Sequence, residues 1–214
     1  MHRHINDIKQ VEVSKGVWER TLLGPDDTSH HNLTVKHQVI KPGSAVGFDD
    51  QMSEYQHYVI SGCALWGGIY AQAPKPFFRW AKARAFNFFE AQYTSFRATT
   101  INRQLITEEQ HAISGAYRMH GLDIQITPPH NEVSPHTNPE ESMYFLRGQG
   151  EVLSEGERVK VRPGSFVHTP VDVQHGIFNP YDRLPVEYFV LEYIEHDKAW
   201  TERGYQTPSL TWQK

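Results

Sequence analysis

A run of histidine and carboxylate residues in the C-terminal half of the chain could bind a metal ion. Between residues 130 and 175 this run contains His130, His136, Glu141, His168 and His175. Imidazole nitrogens combined with a carboxylate suit a borderline divalent metal such as Fe, Mn, Ni or Zn. The 13 histidines of the 214-residue chain are weak evidence by number alone. Their spacing has to indicate which of them could act together.

Two sequence motifs in this region resemble those of the cupin superfamily. The first cupin motif is commonly G-x5-H-x-H-x3/4-E-x6-G, and the second is G-x5-P-x-G-x2-H-x3-N. The positions that match are His136, Glu141, Gly148, Gly164, Pro170, His175 and Asn179. Because both motifs occur in the expected order, the resemblance implies an all-β cupin barrel (a double-stranded β-helix, or jelly roll) with a short helical or irregular insertion.

The chain departs from the cupin pattern at three positions and in one spacing. His130 stands at the position of the opening glycine, Asn138 replaces the second histidine, and Asp172 replaces the middle glycine of the second motif. The gap from Asn138 to Glu141 is one residue shorter than usual.

The resemblance implies a metal-binding and catalytic set in the mouth of the barrel. Carried over by position, its members are His136, Glu141 and His175. The usual fourth ligand would be Asn138, whose amide oxygen is a weaker ligand for transition metals than imidazole. Asn138 is therefore expected to hydrogen-bond the substrate or to coordinate weakly. His130 and His168 remain alternative ligands.

The strands that would position these residues are visible as short alternating or apolar runs between Pro-Gly and Gly punctuation. The predicted strands are 33–40, 55–60, 122–127, 143–146, 151–153, 159–161, 165–169 and 186–194. Such regular short strands favour a β-sandwich or barrel.

Side chains alternate along a strand, which places Glu141, Met143 and Phe145 on one face. Met143 and Phe145 are therefore predicted to line the substrate pocket beside the carboxylate ligand. An apolar wall there would limit the access of water to the metal.

The chain is predicted to divide into a degenerate cupin-like half, residues 1–105, and a metal-binding barrel, residues 106–214. Residues 33–71 look like an eroded copy of the first motif, with Asp49 and Glu54 at the positions of His136 and Glu141. The aromatic-rich stretch 75–92 is interpreted as a helical or irregular crossover.

Three functions remain open from the sequence. The Pro135–Glu141 segment is similar to the iron-binding segment of 3-hydroxyanthranilate 3,4-dioxygenases, which favours an Fe(II) dioxygenase acting on a small organic substrate. A Zn, Mn or Ni lyase, isomerase or cyclase is the second hypothesis, with His130 or Glu140 as its base. The third is a small-molecule-binding cupin without enzymatic activity.

Composition limits the partners. The net charge of −4 and the lack of a basic stripe disfavour nucleic acid. No apolar run approaches the roughly 18 residues of a membrane span. A single cysteine, Cys63, excludes an internal disulfide framework and a CxxC metal site. We expect a cytoplasmic protein with a small-molecule substrate, and a homodimer because sheet edges require cover.

Overall fold

The computed structural model describes residues 1–28, 33–46, 60–61, 93–95, 100–106, 119–137 and 140–193. These residues form strands β1 (His2–His4), β2 (Val11–Ser14), β3 (Val17–Leu23), β4 (Val35–Ile40), β5 (Tyr93–Ser95), β6 (Ile101–Ile106), β7 (Met119–Thr127), β8 (Glu132–His136), β9 (Glu140–Arg147), β10 (Gly150–Ser154), β11 (Glu157–Val161), β12 (Ser165–Thr169), β13 (His175–Phe178) and β14 (Val186–Tyr193). Two short 3-10 helices, Ile5–Asp7 and Pro25–Asp27, connect the first strands. None of the helices in the described ranges is long and apolar enough to cross a membrane.

The strands form three antiparallel sheets. The largest has the order β1-β12-β9-β14-β7-β6-β5, the second β11-β10-β13-β8, and the third β2-β3-β4. The predicted strands 122–127, 165–169 and 186–194 correspond to β7, β12 and β14. The predicted strands 151–153 and 159–161 correspond to β10 and β11, which pair with each other. The all-β fold class is therefore confirmed.

A hydrophobic core joins the two larger sheets. Met143, Phe145 and Tyr188 belong to the seven-stranded sheet, whereas Val152 and Ile177 belong to the four-stranded sheet, and all five are buried in one cluster. Two sheets that share an interior in this way form a sandwich whose inner faces carry alternate residues of each strand.

A second apolar cluster covers the opposite face of β9 and β12. Leu22 and Leu23 of β3 pack there with Phe166, and Ile5 and Tyr144 pack against them. Strand β9 is consequently buried on both faces along most of its length. This double burial places the residues on both sides of Glu141 in protein rather than in water.

Part of the N-terminal half joins the seven-stranded sheet. Strand β1 pairs with β12, and β6 pairs with β7, so the predicted boundary after residue 105 falls near the end of β6. The predicted strand 55–60, except residue 60, and the crossover 75–92 lie outside the described residues, as do Asp49 and Glu54. The division into two units remains a prediction.

Candidate metal centre

The three residues of the predicted ligand set lie at one end of the sandwich, on three strands. His136 ends β8 and His175 begins β13, and the two are register partners in the four-stranded sheet. Glu141 lies on β9 in the facing sheet. The set therefore bridges the two sheets, which is why residues far apart in sequence meet.

Their donor atoms converge. One ligand atom from each of His136, Glu141 and His175 lies within 4.8 Å of the others. The two imidazole rings are 4.6 Å apart between centroids and tilted by 50°. The Nε2 atom of His175 lies 3.5 Å from Oε1 of Glu141. Such spacing suits a single ion coordinated by all three side chains.

Backbone carbonyls fix the orientation of both imidazoles. His136 donates from Nδ1 to the carbonyl oxygen of Ser134 at 2.9 Å, and His175 donates from Nδ1 to that of Val173 at 3.0 Å. A carbonyl only accepts, so Nδ1 must carry the proton and Nε2 must carry the lone pair in the neutral ring. Hydrogen bonds of this kind accompany most metal-binding histidines.

The burial of His175 supports the fit of a cation. Its side chain is fully buried, and its Nε2 has no hydrogen-bond partner among the described residues. An unsatisfied buried nitrogen costs about 1–3 kcal/mol. A metal ion at this position would coordinate Nε2 and also neutralise the buried carboxylate of Glu141. The three side chains therefore fit a divalent metal ion.

The electrostatics agree with a cation site. Burial by itself would lower the pKa of His175, but the close contact with the negatively charged carboxylate of Glu141 outweighs it, together with the Val173 carbonyl and the charge of Glu192. The pKa of His175 is therefore raised. The same negative field that stabilises an imidazolium would stabilise a divalent ion.

Residues 124–192 match the sequence model of the Cupin domain family. These residues form a cupin domain. No protein of curated function matches the chain in sequence. All three members of the candidate ligand set lie inside the matched range.

Several solved structures are similar to the chain. A predicted oxalate decarboxylase from Thermotoga maritima is 18% identical with a TM-score of 0.46, over 52% of this chain and 100% of the other. The polyketide cyclase RemF from Streptomyces resistomycificus is 21% identical with a TM-score of 0.46, over 53% of this chain and 80% of the other. KdgF from Halomonas sp. is 14% identical with a TM-score of 0.44, over 55% and 98%.

The cupin motif positions outside the ligand set hold the backbone. The buried Asn179 donates from Nδ2 to the carbonyl oxygens of Thr127 and Leu184, which fixes the entry into β14. Gly148 has a φ of +72°, and a Cβ at this position would collide with the carbonyl oxygen of Pro185.

The two residues that replace motif glycines both adopt the left-handed backbone conformation that glycine favours. His130 has a φ of 58° and Asp172 a φ of 64°. Asp and His are enriched among the few non-glycine residues that tolerate this region. The departures from the motif therefore preserve its backbone.

The remaining predicted residues occupy distinct environments. Met143 and Phe145 are fully buried in the main core, on the same face of β9 as Glu141. Asn138 lies outside the described residues. His130 is exposed and its Nε2 lies 2.9 Å from Oδ1 of Asp182. His130 does not belong to the group of converging donor atoms, and its assignment as an alternative ligand or base remains a prediction.

Glu140 and His168 also do not take the roles proposed from sequence. Both are buried on the opposite face of the sheet from Glu141, where His168 Nε2 lies 3.0 Å from Glu140 Oε1. Alternation along β9 separates Glu140 from Glu141. Glu140 as the base and His168 as a ligand are therefore corrected.

Sequence reasoning missed two features beside the site. Gly176 follows His175 at a register shift between β13 and β8, and a Cβ there would lie 2.8 Å from the Val133 carbonyl oxygen. Asp123 of β7 is mostly buried and accepts from Nδ2 of Asn102 at 3.1 Å. Burial, opposed by that hydrogen bond and aided by the charge of Glu141, raises its pKa to about 6.

A polar residue in an alternating strand would ordinarily be placed on the solvent side, which hides Asp123 in the sequence. Its register partner on β14 is Val190, a member of the main core, so Asp123 shares the interior face. Gln125 on the same face is also buried and accepts from the Tyr188 hydroxyl at 2.9 Å.

Proposed function

We propose that the protein is a metal-dependent cupin enzyme, and specifically a non-haem Fe(II) dioxygenase that acts on a small organic substrate. The observation that supports this proposal is the convergence of two imidazole nitrogens and one carboxylate oxygen within 4.8 Å. Two histidines and one carboxylate are the ligand set of many non-haem Fe(II) oxygenases, and they leave coordination positions open.

The metal, when bound, would supply coordination sites at which an organic substrate and dioxygen can be brought together. The chain supplies the rest. Glu141 would neutralise one positive charge of the ion, and the Nδ1 hydrogen bonds of His136 and His175 fix the orientation of the two imidazoles that would hold it. Because His136 is only partly buried while the other two are buried, the substrate would approach from the side of His136.

Two further residues have proposed roles at the substrate. Asn138, which lies between β8 and β9 in the sequence, would hydrogen-bond it. Met143 and Phe145 form the apolar wall behind Glu141 and exclude water from that side.

A Zn, Mn or Ni lyase, isomerase or cyclase is the second candidate, and Asp123 favours it. This carboxyl shares the interior face, and its pKa is raised to about 6 by burial. A group that titrates near neutral pH suits the transfer of a proton to or from a substrate.

Metal analysis and dioxygen uptake test the proposal. The protein, its His136→Ala variant and a matched His130→Ala variant would be purified and analysed for bound metals. Near-stoichiometric iron in the wild type and in His130→Ala, lost in His136→Ala, with dioxygen uptake on small phenolic or diketone acids, would support the dioxygenase.

Other outcomes point elsewhere. Zinc, manganese or nickel with no uptake would favour the second candidate. No metal in the wild type after incubation with each ion would contradict the site and leave a small-molecule-binding protein.

A cytoplasmic location and a homodimer extend the proposal. The dimer is tested by light scattering on the purified protein, and a monomeric mass would contradict it. Localisation is tested by fractionation of cells that express the protein.

A further inference from the structure

The residues on either side of Glu141 are held from the reverse face of the sheet. Strand β12 lies beside β9, with His168 opposite Ser142 and Thr169 opposite Glu141. His168 forms a hydrogen bond between its Nδ1 and the Ser142 hydroxyl at 3.1 Å, and its Nε2 lies 3.0 Å from Oε1 of Glu140. One imidazole thus contacts both neighbours of Glu141.

This network is closed to solvent. Ser142, His168 and Glu140 are exposed by only 2%, 1% and 0%. The second apolar cluster, with Phe166 and Tyr144 beside it, covers the same face. Because water does not reach these polar groups, their interactions with one another are strong and favour a single arrangement. The contacts therefore fix the β9 backbone at Glu140 and Ser142.

We propose that His168 is a positioning residue for Glu141. By holding the side chains that precede and follow Glu141, it fixes the direction in which the Glu141 carboxylate leaves the strand toward His136 and His175. This inference rests on the proposed metal at those three residues. His168 does not contact the metal, since it lies on the other face of the sheet.

The expected size of the effect follows from the tolerance of metal sites. Ligand distances vary by only about 0.2 Å in a well-formed site. Groups that orient a ligand without binding the metal typically change metal affinity by about 10- to 100-fold when they are removed.

The test uses three variants and one control. His168→Leu removes both contacts, Ser142→Ala removes one, and His168→Gln retains a polar side chain at the position. Phe166→Leu is the matched control, because Phe166 lies two residues from His168 on the same strand and the same face and belongs to the apolar cluster. Zn²⁺ affinity is measured by competition with a chelator, and the absorption spectrum is recorded after loading with Co²⁺.

We expect His168→Leu and Ser142→Ala to weaken Zn²⁺ binding about 10-fold or more and to alter the Co²⁺ spectrum. His168→Gln should restore part of the affinity. Phe166→Leu should lower the urea midpoint of the metal-free protein and leave both metal readouts unchanged. If His168→Leu does not fold, Ser142→Ala carries the test, because it removes only a hydroxyl.

Two results would overturn the inference, and they differ. Wild-type affinity and an unchanged Co²⁺ spectrum in a folded Ser142→Ala or His168→Leu protein would overturn the positioning role alone. A wild-type protein that binds neither Zn²⁺ nor Co²⁺ would overturn the proposed function and this inference together.

Discussion

Glu140 and Glu141 are neighbours in sequence, and each lies beside a buried histidine, yet only one of the two pairs is built to receive a metal ion. Glu141 faces the interior and lies 3.5 Å from Nε2 of His175. Glu140 faces the opposite side and lies 3.0 Å from Nε2 of His168. The two pairs contain the same residue types at similar distances, so composition and proximity do not distinguish them.

The difference lies in the second ring nitrogen and in the number of rings. At His175 a backbone carbonyl accepts from Nδ1, and the ring lies beside a second imidazole, that of His136, with 4.6 Å between the ring centroids. At His168 a serine hydroxyl contacts Nδ1 and a carboxylate lies beside Nε2. A metal site requires several nitrogen and oxygen lone pairs that converge on one point, as at His136, Glu141 and His175. The polar contacts of His168 with Ser142 and Glu140 instead hold neighbouring strands together.

The largest expected effect comes from exchanging the two glutamates for glutamine one at a time. Glu141→Gln removes a charged ligand and should weaken Zn²⁺ binding by more than about 100-fold, because the loss of a ligand exceeds the loss of an orienting group. Glu140→Gln keeps an acceptor toward His168 and should change affinity less than about tenfold. Competition with a chelator measures the Zn²⁺ affinity of both variants. Equal losses of affinity would contradict the assignment of different roles to the two faces of β9.

Gly176→Ala should disturb the candidate metal site by displacing the backbone of the strands that carry its histidines. The added Cβ would meet the carbonyl oxygen of Val133 at 2.8 Å, and Val133 lies on β8, the strand that carries His136. Forcing atoms into a packed position typically destabilises by about 1–3 kcal/mol. Urea unfolding of the metal-free protein measures this loss. Gly24→Ala is the control, because its nearest contact would be 3.7 Å away, and an equal loss there would refute the steric explanation.

The affinity of the candidate site for metal should depend on pH, because His175 beside Glu141 can bind either a proton or the metal. The proton and the metal compete for Nε2 of His175, whose pKa is raised above its ordinary value of 6.5 by Glu141 despite the opposing effect of burial. The ring is therefore protonated at a higher pH than an ordinary histidine. Zn²⁺ affinity should fall by about tenfold for each pH unit below this pKa. An affinity that stays constant between pH 8 and pH 5.5 would contradict it.

The smallest effect concerns Asp123, whose charge is disfavoured in the folded state. Its pKa is raised from 3.8 to about 6, so the folded protein holds the proton more tightly than the unfolded chain, and stability is lost as pH rises through this range. The full shift corresponds to at most about 3 kcal/mol. We expect Asp123→Asn to stabilise the metal-free protein by about 1 kcal/mol at pH 7.5.

The gain should disappear near pH 4, where the carboxyl of Asp123 is already neutral. Urea unfolding at the two pH values measures the difference. A variant that is equally stabilised at both would show that charge is not the cause.

Much of the sandwich follows from local sequence. Alternation and Gly or Pro punctuation predict β7, β12, β14 and the β10–β11 hairpin within a few residues, because these strands have one face that is clearly apolar. The motif spacing likewise predicts the three residues whose donor atoms the structure brings together.

The two strands that carry the histidines were not predicted, and the reason is physical. Strand β8 contains one buried apolar residue, Val133, and lies at the edge of its sheet, where Pro135 is tolerated because an edge position need not donate a hydrogen bond. Neither alternation nor an apolar run marks such a strand. The buried network of Glu140, Ser142 and His168 could not be predicted from the sequence either. The apolar side chains of β3 that cover it come from more than 100 positions earlier in the chain.

The position of β14 has a consequence for the order in which the chain can fold during synthesis. This strand, the last in the described part of the chain, lies between β9 and β7 at the centre of the largest sheet. While translation is incomplete, β7 and β9 have no shared neighbour, and β9 exposes one edge that the finished sheet covers. The largest sheet is therefore complete only after residues 186–193 have left the ribosome.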